Sequence, residues 1–272
     1  MSKISKIFKY KILFILFSIS LLIGQEPKPI KAGVAPSSYD YQGDLDALHY
    51  SIEIGLGEKT DFIEAKVAIK LVSKKDNPNL RLDFTGLKIE SFYVNDIVSS
   101  YSYDKGIIDK NLNGYNYGDS LIIKVHYSGK ADDGLIIGNN VHGNRTIFVD
   151  NWPNRTRFWL PSIDHPSDKA TVTYKIHAPK KWKVIANGYS WGKPTKTINN
   201  AIGPKEDRLT WSWKVNVPIP TYNMVVGAAD LEIRTVGLAA CGNAPASMRE
   251  DGCIEVTYWV YPEDIENAKK SF

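Results

Sequence analysis

Apolar and polar residues alternate along most of the chain after about residue 44, the pattern of half-buried β-strands. The alternation occurs in seven short segments, at residues 50–54, 63–71, 80–84, 121–127, 172–176, 209–215 and 254–260. Gly55, Gly57 and Asp61 separate the first two segments and predict a hairpin there. Short strands divided by turn residues favour antiparallel sheets packed face to face. The sequence therefore predicts an all-β sandwich.

A helix is predicted at the C-terminal end, beginning at Pro262. Proline is favoured in the first helical turn, and Glu263 and Asp264 would lie at the positive end of the helix dipole. Apolar residues continue at helical spacing as far as Phe272. Because the chain stops about three turns into this pattern, we expect residues 262–272 to begin a further segment and the chain to be a fragment.

The first 24 residues have the character of a leader. Four lysines and no acidic residue lie in this stretch, and residues 12–23 form an apolar run broken only by two serines. That pattern is typical of a secretory signal, and the run is short for a helix that spans a membrane. We expect a signal peptide over residues 1–24, a linker over 25–39 and a β-domain over 40–261. An uncleaved N-terminal anchor is the alternative, and either would export the protein to the periplasm, the cell surface or the medium.

Composition adds little to this picture. Hydrophobic residues make up 43% and charged residues 24% of the 272, as in ordinary globular proteins. The four leader lysines equal the whole net charge of +4. We therefore expect no nucleic-acid partner, and contact with a membrane only if the leader stays uncleaved.

No complete catalytic motif occurs in the sequence. There are five histidines, and no two of them are three to five positions apart, so no helix offers a pair of zinc ligands. The patterns H-E-x-x-H, G-x-S-x-G and G-x-G-x-x-G are also missing. We expect no catalytic residue, metal or cofactor within these 272 residues.

The two cysteines, Cys241 and Cys253, flank a loop sequence rich in Gly, Asn and Pro. In an exported protein this arrangement favours a disulfide. Closing a loop of that size contributes about 3 kcal/mol to stability. Two free thiols are the alternative if the protein is not exported.

Residues 144–170 form an unusually dense segment, with three prolines, two tryptophans and three arginines. Asp150, Asp164 and Asp168 lie among them. An extended segment stiffened by proline and held by Arg–Asp pairs would form a rigid ledge. The alternative is that the tryptophans lie in the core and the charges form solvated pairs.

Part of this segment resembles a known family. Residues 157–171, R-F-W-L-P-S-I-D-H-P-S-D-K-A-T, are similar to the N-terminal-domain signature of the aminopeptidase N-like zinc metallopeptidases, which include the leukotriene hydrolases. Further segments resemble the family in order and at compatible spacing, at residues 48–50, 125–129, 178–188 and 218–227. The resemblance covers about residues 40–272 and implies a saddle-shaped β-sandwich that packs against a catalytic domain.

The resemblance also implies that catalysis takes place in a different domain from this one. In the family the catalytic domain carries H-E-x-x-H and a distal glutamate, which hold zinc, and neither is present here. The resemblance therefore implies an aminopeptidase that removes N-terminal residues from peptides, with zinc in a domain missing from this chain, and the leader implies that it is exported. The chain alone is expected to be inactive. Its expected partners are its own catalytic domain and, in the whole enzyme, a peptide substrate.

Asp150, Asn151 and Trp152 fall where the family has a substrate-contacting loop, often with a glutamine, which is missing here. By this resemblance, an amide or carboxylate of these residues would hold the substrate's α-amine and Trp152 would line the pocket for its first side chain. Pro153 predicts an extended backbone at Trp152. The alternative places Trp152 in the core. Ser162 replaces the family's usual cysteine.

Two other functions remain open at this point. One is a non-catalytic β-sandwich module that binds a peptide or a carbohydrate through exposed tryptophan. The other is a structural fragment without retained activity.

Overall fold

The computed structural model describes residues 43–199, 201–239, 241 and 253–271. The predicted signal peptide over 1–24 and the linker over 25–39 lie outside the described residues. Within them, eighteen strands form four sheets. The first nine are β1 (Leu45–Gly55), β2 (Phe62–Ser73), β3 (Asn79–Asp83), β4 (Lys88–Val94), β5 (Ile97–Val98), β6 (Ser102–Asp104), β7 (Ile107–Asn111), β8 (Ser120–Lys130) and β9 (Leu135–Asn139). The others are β10 (Arg145–Val149), β11 (Lys169–Pro179), β12 (Lys183–Ala186), β13 (Tyr189–Ser190), β14 (Thr195–Lys196), β15 (Arg208–Pro220), β16 (Val226–Ala229), β17 (Glu232–Ala239) and β18 (Ile254–Val260).

The largest sheet has nine strands in the order β13-β15-β11-β1-β2-β8-β4-β5, with β14 also paired to β15. The predicted hairpin between β1 and β2 is confirmed. Neighbouring strands are antiparallel except β1 and β11, which run parallel with His49 opposite Thr171 and Gly55 opposite His177. The expectation of purely antiparallel sheets is therefore wrong at this one pair. These strands are far apart in the sequence, and the long connection allows the crossover that parallel pairing needs.

Gly55, at the end of β1, lies against the loop before β15. A Cβ atom at this position would lie 2.4 Å from the carbonyl oxygen of Ile202 and 2.6 Å from the Cα of Gly203. Gly203 itself has a φ of +90°, which side chains other than glycine rarely adopt. Both glycines are therefore required by the close approach of two backbones.

Two smaller sheets share one hydrophobic core with the large sheet. The four-stranded sheet has the order β12-β16-β10-β9, and the three-stranded sheet has the order β3-β7-β6. Ile69 of β2, Leu82 of β3 and Val184 of β12 belong to the same buried cluster. The predicted all-β sandwich is thus confirmed.

The C-terminal part of the described chain is a hairpin followed by a helix. Strands β17 and β18 pair with each other, and a disulfide joins Cys241 to Cys253 beside the pair Ala239 and Ile254, at the end of the hairpin where β17 leads into β18. The helix predicted from Pro262 begins with a 3₁₀ turn, Pro262–Asp264, and continues as helix α1, Ile265–Ser271. Within the part of the chain that the structure describes, no helix is long and apolar enough to cross a membrane.

Candidate functional site

The residues predicted to contact substrate follow strand β10, where the chain leaves the four-stranded sheet. Instead of continuing extended, the chain turns over residues 152–155 and enters a 3₁₀ turn at Thr156–Phe158. The Arg155 backbone N–H donates to the Asn151 carbonyl at 2.7 Å, and the Arg155 Nε donates to the Trp152 carbonyl at 2.7 Å. The expected extended ledge is therefore wrong, because the chain folds back in a turn that these hydrogen bonds close and that contains a cis Trp152–Pro153 peptide bond.

Asn151 is buried, with only 2% of its surface exposed. Its Oδ1 accepts a hydrogen bond from Trp159 Nε1 at 2.8 Å. Its Nδ2 donates to the carbonyl oxygens of Thr221 at 3.2 Å and Met224 at 2.8 Å. The amide thereby uses both of its donors and one lone pair inside the protein. The structure places Asn151 beneath the surface, where its side chain is hydrogen-bonded to Trp159, Thr221 and Met224.

Trp152 lies at the surface with 65% of its area exposed, so the alternative that placed it in the core is wrong. Its ring meets the edge of Tyr222, with centroids 5.3 Å apart and planes at 87°. Edge-to-face contact of this kind is a favourable aromatic geometry. Tyr222 was not among the predicted residues, although it lies in the segment 218–227 that resembles the family. Asn151 connects the two rings, since it bonds to the 3₁₀ turn Thr221–Asn223 that carries Tyr222.

Asp150 is half-exposed and forms an ion pair with Arg155, which also pairs with Asp133 at 3.3 Å. The expected Arg–Asp pairing within the dense segment is found here. Asp150 is the carboxylate closest in sequence to the exposed Trp152, and the guanidinium of Arg155 compensates its negative charge.

A buried ionic cluster lies below these residues. Arg157 Nε contacts Asp164 at 3.0 Å, and its guanidinium also contacts Asp83 at 3.3 Å. Asp164 accepts a hydrogen bond from Thr221 Oγ1 at 2.9 Å. Breaking a buried, paired charge of this kind is strongly destabilising. The cluster therefore fixes the dense segment against the turn that carries Tyr222.

Asp168, at the edge of the same segment, is buried without an ion-pair partner among the described residues. Its Oδ1 accepts the Ala47 backbone N–H at 3.2 Å, and its Oδ2 has no hydrogen-bond partner within the described residues. Burial raises the pKa of this carboxyl to about 7, against the opposing effect of the Ala47 hydrogen bond. The carboxyl is therefore largely protonated below neutral pH.

Three of the five histidines each contact a carboxylate in the described part of the chain. His126 contacts Glu64 at 2.8 Å, and His177 contacts Glu53 at 2.8 Å. Across residues 43–199, 201–239, 241 and 253–271, no three or more His, Cys, Asp or Glu side chains come together in a way that could hold a metal ion. The described residues therefore do not fit a zinc site.

The chain is similar to known proteins in sequence profile and in fold. Residues 46–223 match the sequence profile of the peptidase M1 N-terminal domain. No curated protein sequence matches the chain significantly.

Several solved structures share the fold. An M1 zinc metallopeptidase from Deinococcus radiodurans is 22% identical, with a TM-score of 0.62 over 79% of this chain and 47% of its own. A two-domain M1 zinc metallopeptidase variant bound to L-tryptophan is 21% identical, with a TM-score of 0.64 over 79% and 48%. Native yeast LTA4 hydrolase is 18% identical, with a TM-score of 0.65 over 91% and 37%. The chain thus spans about half the length of the first two structures and less of the third.

Proposed function

Because the chain belongs to the peptidase M1 N-terminal domain family, we propose that it is the N-terminal domain of an exported zinc aminopeptidase. The family match over residues 46–223 carries this proposal, and it agrees with the resemblance seen in the sequence. The whole enzyme would remove N-terminal residues from peptides. Its zinc would polarise the scissile carbonyl and activate water, and its ligands would belong to a catalytic domain outside these 272 residues.

An exposed apolar row supports the packing of another domain on the four-stranded sheet. Ile136, Phe148 and Ile185 lie in one row on its outer face, with Gly227 between the last two. Phe148 is 47% and Ile185 37% exposed. A row of apolar side chains on an open sheet face is typical of an interaction surface. We assign this face to the catalytic domain of the same protein.

Trp152 follows the end of β10 in the chain, and its exposed ring contacts that of Tyr222. In the proposed enzyme their rings line the pocket for the first side chain of a peptide, and the Asp150 carboxylate faces the free α-amine. Asn151 acts as a positioning residue, because its amide joins the turns that carry both rings. This assignment keeps Asp150 and Trp152 as substrate contacts and gives Asn151 an indirect role.

Export is supported by the leader pattern and agrees with the bond between Cys241 and Cys253. Disulfides persist in oxidising compartments and are rare in the cytosol. We accordingly place the mature protein outside the cytoplasm, after removal of residues 1–24.

The native protein provides the test. Antibodies raised against the recombinant chain would capture it from the exported fraction, and its mass, zinc content and hydrolysis of aminoacyl-nitroanilides would be measured. We expect a polypeptide longer than 272 residues, stoichiometric zinc and hydrolysis that a chelator abolishes. The recombinant 272-residue chain serves as the matched control and should show neither zinc nor hydrolysis. Native protein without zinc or hydrolysis, or an active 272-residue chain, would refute the proposal.

A further inference from the structure

The outer face of the nine-stranded sheet contains a trough of about 710 Å³. Its floor includes a row of three small side chains, Thr173, Ser51 and Ala68, which lie opposite one another on β11, β1 and β2. Lysines continue this row on both sides, with Lys214 opposite Thr173 and Lys124 opposite Ala68. Four strand spacings separate the two lysines, or about 19 Å. The trough is therefore shallow in the middle, with a lysine at each side, of which Lys124 is paired with Asp96.

Each side of the trough also carries an aromatic ring. The Lys214 ammonium lies 5.8 Å from the centroid of Trp191, whose side chain is 67% exposed. On the other side, Tyr93 lies directly opposite Lys124. An aromatic ring beside a lysine can stack on an apolar part of a ligand while the lysine pairs with a charged part.

Two further lysines lie along β2. Among the described residues, Lys66 and Lys70 have no ion pair, and both project from the same face of β2. Lys66 lines the trough opposite Glu53, whose pKa its charge helps to lower, and Lys70 lies beyond the trough. They are four positions apart, or about 13 Å along the strand. The acidic side chains of the trough, Glu53 and Asp96, are already paired, with Lys175 and Lys124 respectively. A ligand that lies in the trough and reaches past it to Lys70 would meet two lysines about 13 Å apart, a spacing that suits an anionic oligomer.

The positive charge of these lysines also acts on His49. The pKa of His49, on the same face, is lowered first by burial and then by the positive charges of Lys214 and Lys70. Hydroxyl groups of Ser51, Thr171 and Thr173 lie around this histidine and contact one another or its ring. Each hydroxyl can both donate and accept, so the floor suits a ligand rich in hydroxyl groups.

We propose that this trough binds an acidic oligosaccharide, whose rings stack on Trp191 and Tyr93 and whose carboxylates pair with Lys66 and Lys70. A peptide is disfavoured because the backbone groups of a sheet face are already paired in the ladder and offer no hydrogen bonds. Single-stranded nucleic acid is disfavoured because successive bases need closely spaced aromatic rings, and these two rings lie on opposite sides. The site is independent of the proposed peptidase activity.

Calorimetric titration of the 272-residue chain with a galacturonic acid tetramer tests this site. We expect a dissociation constant below about 1 mM. Lys66→Gln, Lys70→Gln and Trp191→Ala should each weaken binding about tenfold, which corresponds to about 1.4 kcal/mol. All three positions are exposed, so the variants should keep the parent melting temperature. Lys59→Gln, an exposed lysine in the β1–β2 loop outside the trough, is the matched control and should bind like the parent.

Three comparison ligands complete the experiment, namely a neutral galactose tetramer, tetraglutamate and a single-stranded DNA tetramer. Weaker binding of all three supports the proposal. The proposal is overturned if the acidic tetramer does not bind at about 1 mM, or if the trough variants bind it as the parent does. Equal or tighter binding of tetraglutamate or DNA would instead assign the trough to those polymers. Equal binding of the neutral tetramer would show that the lysines do not select the ligand.

Discussion

Replacing Asp168 by asparagine tests the buried carboxyl at the start of β11. Asparagine has the same shape, accepts the Ala47 N–H in the same way and carries no titratable proton. Folding raises the pKa of this carboxyl from 3.8 to about 7. Between these pH values the folded protein keeps the proton that the unfolded chain has lost. Its contribution to stability is therefore complete below about pH 4 and declines as the pH rises through 7.

The size of the effect follows from this difference in pKa. The change from 3.8 to about 7 corresponds to about 4 kcal/mol in total. About 2.5 kcal/mol of it falls between pH 5 and pH 8. We therefore expect Asp168→Asn to exceed the parent's free energy of unfolding by about 1.5 kcal/mol at pH 5 and by about 4 kcal/mol at pH 8.

Urea unfolding of both proteins at pH 5, 6, 7 and 8 and constant ionic strength measures this difference. The other titrating groups cancel when the variant is subtracted from the parent at each pH. Asp104→Asn, at an exposed aspartate of β6, is the control and should give a difference that does not change with pH. A difference between Asp168→Asn and parent that is the same at pH 5 and pH 8 would show that the carboxyl titrates normally, and the reasoning would be wrong.

Other predictions concern the candidate site and the C-terminal segment. Asn151→Ala should lower the free energy of unfolding by about 2–4 kcal/mol, because three buried hydrogen bonds lose a partner; a loss below about 0.5 kcal/mol would contradict its positioning role. Trp152→Ala should change stability by less than about 1 kcal/mol because the side chain is exposed, yet it should alter the preference for the first residue when introduced into the native full-length enzyme. The pKa of His142 is raised by its hydrogen bond to Asp264, so this contact should be strongest below pH 6.5 and weaken as the pH rises through the raised pKa. Amide exchange in helix α1 should accordingly be faster at pH 8 than at pH 5.5, after correction for intrinsic rates, and His142→Ala should abolish the difference.

The strands could be predicted from the sequence because alternation reports which side of a strand is buried. In β2, alternate residues from Ile63 to Leu71 are buried, as the period-two pattern predicts. The parallel pairing of β1 with β11 could not be predicted in this way, since both neighbours of β1 bury the same face whatever their direction. Which strand lies beside which depends on contacts between distant parts of the chain.

The candidate site was located by resemblance, but the roles of its residues depend on distant partners. Asn151 is buried because Thr221 and Met224, about seventy positions away, accept its hydrogen bonds. The turn after it is closed by hydrogen bonds from Arg155 back to Asn151 and Trp152. Local sequence rules describe the backbone preference of each residue alone, so they miss a conformation that is fixed by such bonds.

The position of β1 has a consequence for biosynthesis. Its hydrogen-bonding partners are β2, which follows at once, and β11, which ends at Pro179. During translation one edge of β1 therefore stays open until the chain has been made as far as Pro179. An open strand edge is a template for pairing with another chain. Nascent chains that stop before β11 are thus the species most prone to associate, and a chaperone that covers the edge of β1 would act in that interval.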